Sequence, residues 1–443
     1  MIIARYLMTI LWCIIMCCTP MVGRTEAAEA TAFERAQLYY LSSLLSMASY
    51  SEELNLLVRA KMAEMGWEVS KFQSSDAVAE TKAYIFRRAL ATGEPIYFLA
   101  VTGTESAKDA EVDLRLWRVP FGGSTPAEFA AYAKEPSAKN VPLAHQGFND
   151  YTQRAFFTYS TDETDSRTLG EVIRDELMAH PEGKLYLTGH SLGGAVATLL
   201  AARLIDMGVA PEQLAVITFG APAVGNATFA KTYGELINLE RVTMSGDPVK
   251  AVLQSVSMGY VQFGDKIAWQ QNRYLKRFPH EVIVYLDEAL RHYYDVRETL
   301  PPAERQPKFF QGSRQKNGAL YVVPLSFSLD KHLLDDEKYM NYAWQDRLQA
   351  TWEKVIFAPT VASRDLAEHL TAAALAGCRY VLVADFTGKR VQQEEYNFRL
   401  TLEETLYDLT GAVTNYKVNS VTTNNLTPIE GMVYLHEIEN IVP

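Results

Sequence analysis

From residue 31 to residue 295 the chain alternates short unbroken apolar runs with longer stretches whose apolar positions recur at helical spacing. The runs at 94–102, 185–188 and 213–219 are rich in Val, Ile, Leu and Phe and read as strands, with a further one at 240–244. Residues 36–67 read as two helices with a break at 46–50, residues 168–180 as an amphipathic helix feeding the 184–188 strand, and residues 281–294 as a closing helix. Strands that alternate with helices predict a mostly parallel sheet covered on both faces. A Pro-rich stretch at 299–317 then reads as a linker. Beyond it, strands are expected at 320–329, 379–386 and 396–402, helices at 337–355 and 363–375, and a hairpin signal at 408–411. That second pattern predicts a smaller C-terminal mixed α/β domain over 318–443.

Composition narrows the class of protein. The 443 residues have room for two domains, and the net charge of −11 with no basic stripe argues against a nucleic-acid partner. At the N-terminus, Arg5 precedes an apolar run over 6–18, and Ala28-Glu29-Ala30 follows as a small-residue cleavage site. Residues 1–30 therefore read as a signal peptide, and the protein as exported, periplasmic or secreted. An uncleaved anchor is the alternative. Cys13, Cys17 and Cys18 lie in this segment, which leaves Cys378 alone and the mature chain without an internal disulfide. An exported chain that folds without disulfides fits a bacterial envelope.

The candidate chemistry begins at Gly189-His190-Ser191-Leu192-Gly193, set between the 184–188 strand and an Ala/Leu-rich helical run. This is G-x-S-x-G in the strand–turn–helix context of a nucleophile elbow, where the small flanking residues let the turn close. Ser191 would stand exposed at the end of a central strand, with the Leu192 N–H at a helix N-terminus facing a developing oxyanion. A serine hydroxyl needs a histidine base, and the base an orienting carboxylate. Asp247, just past the 240–244 strand, is placed to be the acid. His280, in a loop after Pro279, and His292, late in the following helix, are the candidate bases. His190 is a neighbour of the nucleophile and points elsewhere, and His145 lies upstream, out of the expected chain order. A second oxyanion donor is expected where the 94–102 strand ends, at Thr104 after Gly103.

Taken together, these blocks resemble the class 3 lipases, the family of fungal triacylglycerol lipases, over about residues 41–295. The resemblance is carried by Val101-Thr-Gly-Thr-Glu105 with Asp109 and Asp113, by His145-Gln-Gly-Phe148, and by the elbow through Ala195. It extends to Phe219-Gly-Ala-Pro222 with Gly225-Asn226, to Gly246-Asp-Pro-Val249, and to His280 with Tyr285 five residues on. It implies an α/β-hydrolase fold with Ser191 as nucleophile, Asp247 as acid, His280 as base, and Thr104 with Leu192 as the oxyanion hole. It favours His280 over His292. It also implies hydrolysis of lipid or small acyl esters without metal or cofactor, and a lid over 109–121 that could touch a membrane surface; a core-packed segment is the alternative there. Thr102 departs from the family, which usually has Arg there. Two other readings stay open: a non-catalytic envelope protein acting through a partner of 318–443, whose pattern is faintly similar to envelope accessory domains, and an acyltransferase.

Overall fold

A computed structural model describes residues 31–437, apart from 51, 76–79, 104–116, 138–139, 162–166, 250–258, 272–276, 310–317, 360–364, 392–396 and 424–425. The expected signal peptide, Thr104 and most of the expected lid therefore lie outside the described residues.

A seven-stranded sheet carries the N-terminal two thirds, in the order Glu68–Ser75, Glu80–Ala89, Pro95–Val101, Lys184–His190, Leu214–Phe219, Asn238–Met244, Asp265–Trp269. From Pro95–Val101 onward neighbouring strands run parallel; the first three strands pair antiparallel. The parallel strands are apolar runs because helices cover both faces. Helices Ala32–Ala48 and Val282–Glu298 pack together on one face, sharing a core with Phe98, Phe219 and Val242. Helices Gln146–Phe157 and Leu192–Asp206 cover the other, around Leu99, Leu187 and Val216. Leu192–Asp206 is apolar almost all round because it is almost wholly buried. Even its Arg203 is enclosed, with its guanidinium 3.5 Å from the ring centre of Phe121 and 4.1 Å from that of Phe129. This is an α/β-hydrolase fold.

A second sheet follows, ordered Lys354–Phe357, Ala319–Val322, Tyr380–Arg390, Phe398–Asp408, Val413–Thr422, with Ser326–Leu329 also on Tyr380–Arg390. Helices Glu337–Thr351 and Pro428–Glu437 pack on each other, and their buried Met340, Trp344 and Met432 join the cluster that holds Leu41 and Tyr285. Helix Leu366–Leu375 packs on Tyr380–Arg390 around Ala373 and Val381.

The local readings differ from the structure in several places, among them the following. The 320–329 run is two strands, because Pro324 between them lacks a ladder donor. The expected 337–355 helix stops at Thr351, where Trp352 turns extended, and a strand begins at Lys354. Strands Glu68–Ser75 and Glu80–Ala89 were not expected; Glu68–Ser75 is mostly polar and lies at the sheet edge, and in Glu80–Ala89 the short buried run Ala83–Phe86 is flanked by charged residues. Helix Pro428–Glu437 was not expected either.

Candidate active site

Strand Lys184–His190 delivers Ser191 to the carboxyl edge of the sheet. Ser191 has φ 55° and ψ −124°, a left-handed conformation that L-residues avoid without support. Support comes from its N–H, which donates to the Phe219 carbonyl at 2.9 Å in the neighbouring strand's end. The flanking glycines make the turn possible. A Cβ on Gly189 would lie 2.3 Å from the Gly193 backbone, and one on Gly193 would lie 2.3 Å from the Val101 carbonyl. Leu192, the first residue of the helix, is buried behind Ser191.

His280 lies in the loop before helix Val282–Glu298 and reaches both partners. Ser191 Oγ is 2.9 Å from His280 Nε2. His280 Nδ1 is 2.9 Å from Asp247 Oδ2. With a carboxylate on that side the proton sits on Nδ1, which leaves Nε2 free to accept from the serine hydroxyl. Asp247 follows strand Asn238–Met244 and is 2 % exposed. Its Oδ1 accepts from the Val249 N–H at 2.8 Å and its Oδ2 from the Tyr285 hydroxyl at 2.5 Å. Burial alone would raise the Asp247 carboxyl, but the hydrogen bonds from His280 and Tyr285 outweigh it and hold the group below its ordinary value. Tyr285 is fixed in turn by accepting from the Met244 N–H at 3.0 Å. Gly220, at φ +60°, lets all three approach: a Cβ there would stand 2.8 Å from Asp247 Oδ2, 2.9 Å from the Tyr285 hydroxyl and 3.0 Å from His280 Nδ1.

Two interactions had no signal in the sequence reading. His190 does point away from the serine, and it holds the loop of the other histidine: its Nε2 donates to the His280 carbonyl at 2.7 Å. Its Nδ1 accepts from the Tyr50 hydroxyl at 2.8 Å. Burial and then the nearby charge of His280 push His190 down to about 3, so it stays neutral. Thr102, which stands where the family usually has Arg, donates its hydroxyl to the Ser49 carbonyl at 3.2 Å and its N–H to the Lys82 carbonyl at 3.1 Å. The end of strand Pro95–Val101 is thereby anchored without a charge.

The remaining candidates sit elsewhere. His292 packs between Tyr39 and Trp269, its ring centre 6.0 Å from each. His145 is buried and caps helix Gln146–Phe157, accepting from the Phe148 N–H. At the described end of the 109–121 segment, Trp117 is 80 % exposed while Phe121 is buried beneath Arg203. Among the described residues no group of three or more His, Cys, Asp or Glu side chains is arranged to hold a metal ion, and no helix is long and apolar enough to cross a membrane.

Part of the chain is similar to known proteins. Residues 98–256 match the family described as Lipase (class 3). It is 29 % identical over 155 residues to a lipase of Rhizopus oryzae, covering 34 % of this chain and 32 % of that protein. It is 30 % identical over 173 residues to a secreted mono- and diacylglycerol lipase of Gibberella zeae, covering 36 % and 40 %. The matches span well under half the length of these relatives. Among solved structures it is similar to a fungal lipase–inhibitor complex at 23 % identity, covering 54 % of this chain and 80 % of that one with a TM-score of 0.40. Lipase II of Rhizopus niveus is similar at 21 % identity, covering 53 % and 80 %, with a TM-score of 0.39.

Proposed function

We propose that the protein is an exported serine hydrolase that cleaves acyl esters of lipids through Ser191, His280 and Asp247. The observation that carries this reading is the unbroken run Ser191 Oγ–His280 Nε2 and His280 Nδ1–Asp247 Oδ2, each 2.9 Å, within reach for proton transfer. His280 takes the Ser191 proton as the oxygen attacks the ester carbonyl. The N–H groups of Leu192 and Thr104 hold the oxyanion as it forms. His280 then passes its proton to the departing alcohol, leaving an acyl-serine. Water, deprotonated by the same imidazole, releases the acid and restores the serine. Asp247 stays ionised throughout and stabilises the imidazolium, as its low proton affinity requires.

Export rests on the N-terminal pattern and on the secreted lipase of Gibberella zeae to which the chain is similar. Contact with a lipid surface near 109–121 belongs to the same reading and is supported by the exposed Trp117. Residues 318–443 are treated as an accessory domain, with a sheet of their own. The test is labelling by a fluorophosphonate, together with turnover of p-nitrophenyl esters and phospholipids. Ser191→Ala is expected to abolish labelling and lower kcat by roughly 10⁴-fold or more. Wild-type turnover in that variant, or a wild-type protein that neither labels nor turns over, defeats the reading. Product analysis with an added alcohol separates hydrolysis from acyl transfer.

A further inference from the structure

The loop that presents His280 is only partly covered: none of residues 277–281 is buried, and Phe278 is 56 % exposed. Tethers must therefore hold it. One is the His190 bond to the His280 carbonyl. Another comes from the distant end of the chain. Arg277 Nη2 donates to the carbonyls of Thr423, at 3.2 Å, and Leu426, at 3.4 Å. Its Nη1 lies 3.0 Å from Glu281 Oε2, and Glu281 Oε1 accepts from the Phe278 N–H at 3.1 Å. The guanidinium thus grips its own loop with one nitrogen and the C-terminal segment with another.

The receiving end is itself tied by hydrogen bonds. Thr423 exchanges two hydrogen bonds of 2.9 Å with Phe398, N–H to carbonyl in one direction and N–H to hydroxyl in the other. Thr427 donates its N–H and its hydroxyl, both at 3.1 Å, to Glu430, which is 3 % exposed on helix Pro428–Glu437. From these observations we propose that Arg277 is a positioning residue through which residues 398–437 hold the His280 loop against Ser191. This gives the C-terminal sheet a part in the reaction. A planar fork suits two carbonyls, and a lysine reproduces the charge without that geometry.

The inference rests on the hydrolase reading, and the experiment separates the two. Full-length wild type, Arg277→Ala, Arg277→Lys, Thr427→Val and the Arg277→Ala/Thr427→Val double variant are compared on p-nitrophenyl butyrate, with circular dichroism confirming folding. Arg277→Ala is expected to lower kcat roughly ten-fold with KM little changed, because a small displacement of the base slows chemistry without loosening substrate. Arg277→Lys should recover part of that loss. Thr427→Val should lower kcat in the same sense, and the double variant should be no worse than Arg277→Ala, since both act on one tether. Lys338→Ala, which removes the 2.8 Å pair with Asp295 near the far end of the His280 helix, should keep wild-type kcat. Wild-type kcat in folded Arg277→Ala, losses that multiply in the double variant, or an equal loss in Lys338→Ala overturns the proposal. Hydrogen exchange over 277–285 reads the tether even if wild type shows no turnover: faster exchange in Arg277→Ala supports it, and unchanged exchange overturns it.

Discussion

The elbow carrying Ser191 is enclosed by backbone: Gly189 against Gly193, Gly193 against Val101, and the Ser191 N–H on Phe219. The loop carrying His280 is half open and is held by side chains from Tyr50 through His190, from Asp247, and from Arg277 to the C-terminal segment. Steric exclusion positions the first and a set of tethers positions the second. Backbone sterics respond to change in an all-or-none way, because close-packed atoms cannot give by fractions of an ångström. Tethers respond by degrees, because each bond is one contribution among several. Ser191 is thus held by backbone contacts, and the His280 loop by a set of separate hydrogen bonds.

Gly193→Ala should produce the largest effect on this contrast. Its methyl carbon would meet the Val101 carbonyl at 2.3 Å, and relief requires the elbow to move. We expect kcat to fall about 100-fold or more and stability by about 1–3 kcal/mol, read by turnover and urea unfolding. A near wild-type Gly193→Ala would erase the distinction between the two loops. On the base side, His190→Asn should lower kcat by roughly ten-fold, since the His280 carbonyl loses its donor. It should also change the pH dependence of stability. His190 binds its proton near 6.5 when unfolded and only near 3 when folded. Between those values the unfolded state holds more protons, so stability falls as pH drops, by roughly 1.4 kcal/mol per pH unit from this residue. Unfolding measured at pH 6.5 and pH 5 should show roughly 2 kcal/mol less loss in His190→Asn than in wild type. An identical loss in both proteins would show that His190 carries no such linkage.

Tyr285→Phe is the mildest of the series. It removes the hydroxyl shared by Asp247 and the Met244 N–H, a loss of two hydrogen bonds at a cost of about 1–3 kcal/mol in stability. His280 and Val249 still donate to Asp247, so kcat should fall only about three-fold. A loss as large as that of Gly193→Ala would mean that the base side, too, has no slack.

Much of this site could be read along the chain, and unevenly. The elbow was legible because a strained turn between strand and helix demands particular small residues at fixed offsets, all inside Gly189–Gly193. Asp247 and the histidines 280 and 292 were legible as residue types after a strand or near a helix, with the choice between the histidines resting on family resemblance. Tyr50 and the holding role of His190 were not legible, since nothing local to residue 50 indicates a partner 140 positions away. The edge strand Glu68–Ser75 escaped for a related reason: an edge strand is selected by pairing with its one neighbour more than by a buried apolar run.

The sequence by itself determined most of the parallel strands, the helices at 36–67 and 281–294 and the elbow, because hydrophobic period and backbone sterics act over a few residues and are written where they act. Tertiary structure alone decided which imidazole faces Ser191, how Thr102 is anchored without a charge, and that carbonyls at 423 and 426 steady the His280 loop. Those outcomes depend on hydrogen bonds between groups far apart in the chain. Their geometry exists only once the sheet has brought its strand ends together.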